Sequence, residues 1–334
     1  MQKQPSADDA AEPSPISTGN LPPVERVRSL VNTAYELFRH NDEGHNADYY
    51  PALARVPREL FGICLVGANG AVYAVGDSAY PFTIMSVSKP FVFALVCQTV
   101  GHEEARRRLG VNSTGLPFNS IMAVELNKDR TMNPMVNAGA IATTSLVPGD
   151  TVAAKWQFIQ EGLSRFAGHE LTLNDEVYRS ASLSNHRNQG IAQLLRSYDR
   201  LYFDPVESVD LYTRQCSLNV TVRDLAVMAA TLADGGVNPV TRERVIDADH
   251  CRRVLAVMAT AGLYETSGDW LFDIGLPGKS GVGGGIITVA PGKGGLGTFA
   301  PPLDSAGNSV RGQLATRFLS DRLGLNLFAS RPMV

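Results

Sequence analysis

Strand-like sequence stands at both ends of this chain and is nearly absent from the long stretch between, which leaves few ways to build a sheet. Near the start, "FGICLV" and "AVYAVG" are short apolar runs separated by Gly67-Ala68-Asn69-Gly70. Asn-Gly tolerates the positive φ of a tight turn, so this spacing predicts a β-hairpin. After residue 268, "WLFDIGL", "GIITVAP" and "LGTFAPP" show the same texture, punctuated by Gly and Pro, and predict about three more strands. The section from about 90 to 260 reads as mostly helical. Apolar residues recur with helical period from Val24 to Phe38 and again in the closing "VRGQLATRFLSDRLG". One inner helix is bounded by chemistry: Thr221 with Asp224 suits a capping-box start, and Gly235-Gly236 suits its end. With short connections, this order predicts an α/β (α+β) chain whose antiparallel sheet is built from both chain ends, with a helical lobe inserted. The sheet lobe would take about 24–82 and 265–334, the helical lobe about 83–264. Residues 1–23, polar and rich in proline, read as a disordered tail.

Composition narrows the function. A chain of 334 residues, 44% hydrophobic, 19% charged and with net charge -3, offers no electrostatic case for nucleic acid or an anionic membrane. No apolar run approaches the roughly 20 residues that span a bilayer. The N-terminus lacks the apolar core of a signal peptide, so a cytoplasmic location is the expectation. Cys64, Cys97, Cys216 and Cys251 show no CxxC spacing and the six histidines no HExxH pattern, so neither a metal nor a disulfide framework is indicated.

The chemistry-bearing stretch is "PFTIMSVSKP", residues 81–90, at the seam between strand-like sequence and the apolar run "FVFALVCQTV". If a helix begins here, Ser86 and Lys89 project from one face. A serine hydroxyl becomes a useful nucleophile when a neighbouring base takes its proton, and a neutral amine can do so. The same four residues also read as a helix cap followed by a solvated lysine. The position favours the first reading, because the predicted lobes would form a crevice there. A second motif, "GLPGKSGVGGG" at 275–285, precedes an apparent strand. A Lys-Ser-Gly triplet on a sheet edge facing Ser-x-x-Lys resembles the serine β-lactamases and penicillin-binding proteins.

Longer words are more specific. "ADYYP", "MNPMVNAGAI" (132–141), "SNHRN" (184–188), "LYTRQCS" (211–217), "VMAATLADGGVNP" (227–239) and "GLYETSG" occur in the order found in the serine-dependent, β-lactamase-like glutaminases. The resemblance covers roughly residues 45–330. It implies a β-lactamase-like fold, hydrolysis of glutamine to glutamate and ammonia, no cofactor and a homo-oligomer, dimer or tetramer. It implies Ser86 as nucleophile, Lys89 as its base and Tyr264 as a proton relay. Tyr49, Asn137, Asn188 and Tyr212 would bind substrate, and the backbone N–H of Val282 would join that of Ser86 in an oxyanion hole. One position departs from the pattern: Ala181 stands where the family carries the glutamate that holds the substrate's α-ammonium. Asp175 and Glu176 lie close by in sequence. The rival functions are a β-lactamase-like hydrolase of another amide or ester, and a weakly active glutamine-binding paralogue.

Overall fold

A computed structural model describes residues 20–330; most of the expected 1–23 tail lies outside them. Seven strands occur among the described residues. They are β1 (Gly62–Gly67), β2 (Val72–Gly76), β3 (Phe82–Thr83), β4 (Asn219–Val220), β5 (Gly278–Ser280), β6 (Gly285–Ala290) and β7 (Gly294–Phe299). Five form an antiparallel sheet in the order β2-β1-β7-β6-β5, so both chain ends contribute. The β1–β2 hairpin closes with Gly70 at φ +85, while the Asn69 side chain accepts from Ala71 N. Both are what an Asn-Gly turn supplies.

The central strands β1, β7 and β6 are buried on both faces, which is why they hold few polar residues. Ile63, Leu65, Ile286 and Leu296 pack with the helices Val24–Phe38, Ser267–Ile274 and Val310–Leu323. Their alternates Cys64, Val66, Ile287 and Phe299 face the other core, with the helix Val222–Ala233 against them. That helix carries the expected capping box, Thr221 Oγ1 accepting from Asp224 N while the Asp224 carboxylate accepts from Thr221 N. Thr221→Ala should therefore lower unfolding free energy by about 1 kcal/mol, read from a urea midpoint at unchanged slope. No helix among the described residues is long and apolar enough to cross a membrane.

One expected strand is a helix. "WLFDI" belongs to Ser267–Ile274, which buries Trp270 and Ile274 on one face and ends at Gly275. Phe272 points outward and is exposed. Aromatic and β-branched content suggested a strand there, but the i, i+4 spacing of the two buried residues won. The third strand of this region is Gly278–Ser280, the Lys-Ser-Gly motif itself, and it forms the sheet edge.

Candidate active site

Ser86 does not begin an α-helix. Residues Met85–Ser88 form a single 3-10 turn, and the α-helix proper runs Lys89–Val100. Ser86 and Lys89 are still three residues apart on one continuous right-handed path. The turn is held from in front: β3 pairs with β4, and Ile84 N donates to Leu218 O at 2.9 Å. Since β4 follows the helix Pro205–Cys216 by two residues, this pairing brings Tyr212 and Cys216 beside Ser86. Met85 sits at φ +48, a left-handed conformation that a non-glycine side chain rarely adopts and that here aims the next residue.

The opposite wall is the edge strand. A Cβ on Gly281 would lie 3.1 Å from Ile84 O and 3.3 Å from Met85 Cβ, so the Lys-Ser-Gly backbone passes directly against the serine turn. Only a residue without a side chain fits there comfortably. Val282 follows, inside a tight turn in which Gly284 N donates to Gly281 O. Tyr264, at φ +58, places its hydroxyl on Ser280 O at 3.3 Å and beside the Ser86 hydroxyl.

Two lysines are buried at this junction. Lys89 is 1% exposed, and its Nζ donates to Asn137 Oδ1 at 2.8 Å. Burial pulls its pKa down to about 7, against a small opposing pull from Cys216. The solvated-lysine reading of this motif is thereby excluded. Lys279 donates to Ser280 O at 2.6 Å and lies 4.0 Å from the centre of the Tyr264 ring. Burial, then the charge of Lys89, drives its pKa well below the usual lysine range. Burial raises the Tyr264 phenol, which is opposed first by the Ser86 hydroxyl.

Asn137 is the hinge of a polar chain. Its Oδ1 also accepts from Tyr212 OH at 3.1 Å, its Nδ2 donates to Asn188 Oδ1 at 3.0 Å, and Asn188 Nδ2 donates to Asn185 Oδ1 at 2.6 Å. Asn185 in turn donates to Thr213 Oγ1. Buried amides satisfied end to end hold a fixed orientation. Asn137 opens the helix Asn137–Ser145, and two residues later a Cβ on Gly139 would fall 1.9 Å from Asn133 O. Gly139→Ala should displace this helix start, cost about 1–3 kcal/mol, and raise KM more than a surface Gly190→Ala control, for which a Cβ meets open space.

These groups surround a cavity of about 320 Å3, within the usual size for a small-molecule site. Ser86, Tyr49, Asn137, Asn188, Tyr212 and Val282 all line it, so six of the eight residues singled out from sequence meet at one cavity. Lys89 and Tyr264 lie behind the lining, in contact with it through Asn137 and Ser86. The profile of the glutaminase family matches residues 44–328. Glutaminase 2 of Yersinia pestis is 66% identical over 317 residues, 95% of this chain and 93% of the relative. The chain belongs to the glutaminase family. A glutaminase of Colwellia psychrerythraea is 49% identical across 90% of this chain and 97% of its own. Among solved structures, the probable glutaminase ybaS superimposes with TM-score 0.91 at 46% identity, covering 92% of this chain and all of its own. A Bacillus glutaminase superimposes with TM-score 0.82 at 30% identity, with 92% and 100% covered.

Within this glutaminase-family chain, Ala181 lines the cavity, near the end of the helix Asp175–Leu183. Asp175 and Glu176 sit at the other end of that helix and do not line it; Glu176 pairs outward with Arg55. Sequence reasoning missed Tyr50, Phe118, Arg187 and Cys216 in the lining, and Lys279 behind it. Lys279 was within reach, as the first residue of the Lys-Ser-Gly motif. Phe118 was not, because it comes from an irregular segment tied in by Asn137 N donating to Phe118 O at 2.8 Å. Elsewhere, His102, Asp249 and His250 cluster within 4.8 Å of one another, although Asp249 already pairs with Arg252. None of them lines the cavity.

Proposed function

We propose that this chain hydrolyses the side-chain amide of glutamine through an acyl-enzyme on Ser86. The observation that carries this is a fully buried lysine, held by Asn137 and three residues from a serine that lines the cavity; that burial draws its pKa down to about 7. At neutral pH a substantial share of Lys89 is the free amine, which is what a general base requires. Ser86 Oγ attacks the amide carbon and gives its proton to Lys89 Nζ. The oxyanion takes hydrogen bonds from the backbone N–H of Ser86 and of Val282, each such donor being worth about 3 kcal/mol of barrier. Collapse breaks the C–N bond, and the nitrogen leaves as ammonia with the proton returned from Lys89 through Tyr264. Water, deprotonated by the same amine, then adds to the ester. The C–O bond breaks, Ser86 regains its proton and glutamate departs.

The antiparallel edge strand facing a serine turn supports a β-lactamase-like arrangement, with 24–82 and the described part of 265–334 as one lobe and 83–264 as the other. The family membership favours glutamine over a lactam, and Mglu, 38% identical with TM-score 0.85, has been solved in a glutamate form. A coupled assay for ammonia and glutamate tests the proposal. Release of both in equal amounts supports it, and neither being formed at any glutamine concentration rejects it.

A further inference from the structure

Among the described residues, those that line the cavity include no acidic side chain. Glutamine carries three groups to be received: the amide that reacts, a carboxylate and an ammonium. Among the described residues lining the cavity there is one permanent cation, Arg187 at the exposed rim, and no aspartate or glutamate. Behind the lining stand Lys89 and Lys279, both buried and both with the charged form disfavoured by that burial, so neither is a fixed charge. Of the nearby acids, Glu176 pairs with Arg55 and Asp210 with Arg214, while Glu265, whose charge reaches the Tyr264 phenol, does not line the cavity. The floor between them is neutral, made of Tyr50, Tyr212 and the Asn137–Asn188–Asn185 amides.

An ammonium entering such a cavity loses water and finds no countercharge, whereas a carboxylate meets Arg187 and amide N–H groups. Unpaired buried charge is among the larger penalties in protein energetics. Ala181 marks the place where the penalty is set. Its methyl group lines the cavity one helical turn from the chain reversal at Ser184-Asn185, close to the amide chain.

We infer that this cavity selects ω-amide acids that lack a free α-ammonium, such as 4-carbamoylbutanoate or an N-acylated glutamine, over glutamine itself. The inference rests on the acyl-enzyme reading of Ser86 and concerns only what the far end of the substrate carries. The reaction is unchanged: amide and water give carboxylate and ammonia.

The test is ammonia release by the purified full chain from glutamine, 4-carbamoylbutanoate and N-acetylglutamine, with kcat and KM separated. 4-Carbamoylbutanoate should exceed glutamine at least tenfold in kcat/KM, mostly through KM. Ala181→Glu should raise kcat/KM for glutamine about a hundredfold and lower it for 4-carbamoylbutanoate, which has no ammonium to pair with the new carboxylate. Ala181→Gln, of similar size and uncharged, should restore nothing. If the parent prefers glutamine, the inference is overturned while the Ser86 mechanism stands. If the parent releases ammonia from none of the three, both fall. The parent comparison needs no variant, so poor folding of Ala181→Glu leaves the question decidable.

Discussion

Ser86→Ala is expected to lower amide hydrolysis by about 10,000-fold or more while leaving a folded protein. Removing the atom that forms the covalent bond cannot be offset by its neighbours, because catalytic groups that act as a unit fail together. The structural loss is small by comparison: one hydroxyl beside Tyr264, worth about 1 kcal/mol. Ser88 supplies the control. It is also buried, but its hydroxyl donates to Met85 O at 2.8 Å and accepts from Gln215, and it does not line the cavity. Ser88→Ala should therefore cost stability and keep most of the activity. The decisive readings are kcat for both variants and mass spectra of acid-quenched enzyme. The parent should carry a glutamyl adduct during turnover, and Ser86→Ala should not. Activity of Ser86→Ala within tenfold of the parent, or an adduct on another residue, would remove Ser86 from the mechanism.

What could be read from sequence divides along a physical line. The helix Val24–Phe38, the hairpin and the capped helix Val222–Ala233 were legible because each is specified by residues next to one another: a period, an Asn-Gly turn, a capping pair. The strand read into "WLFDIGL" failed because a run of seven residues suits either element, and the packing of Trp270 and Ile274 decided between them. The site followed the same rule. Ser86 and Lys89 were visible as a local motif, while Tyr49, Asn137, Asn188, Tyr212, Tyr264 and Val282 were visible only through long words shared with a family. Neither route gave Phe118 or Arg187 a role: Phe118 comes from an irregular segment drawn in by the helix start at Asn137, and Arg187 lies in the first turn of the helix His186–Ser197, inside a shared word but with no function attached to it. Nor could spacing show that Lys89 and Lys279 share one buried junction, since they reach it from opposite ends of the chain.

That buried junction yields the second large effect. Lys89→Arg should reduce kcat about 1,000-fold or more although it keeps the charge, because arginine does not release its proton at accessible pH. In the parent, kcat/KM should fall about tenfold per pH unit below pH 7 as Lys89 takes up a proton, following its lowered pKa of about 7. The same displacement governs stability, and its sign is opposite to that of a paired surface lysine. Between pH 7 and about 10.5 the unfolded chain holds this proton and the folded chain does not, so stability rises with pH across that window. Below pH 7 both states are protonated and the full penalty of burying the charge is felt. Lys279, shifted in the same direction, adds to the slope. Lys89→Met should then lose activity yet gain stability at pH 7 relative to the parent, with a shallower rise toward pH 10. Urea midpoints at pH 7, 8.5 and 10 give the comparison. An active Lys89→Arg enzyme would show that this residue only positions or neutralises. A Lys89→Met variant as steep in pH as the parent would show that the folded protein does not hold the amine neutral.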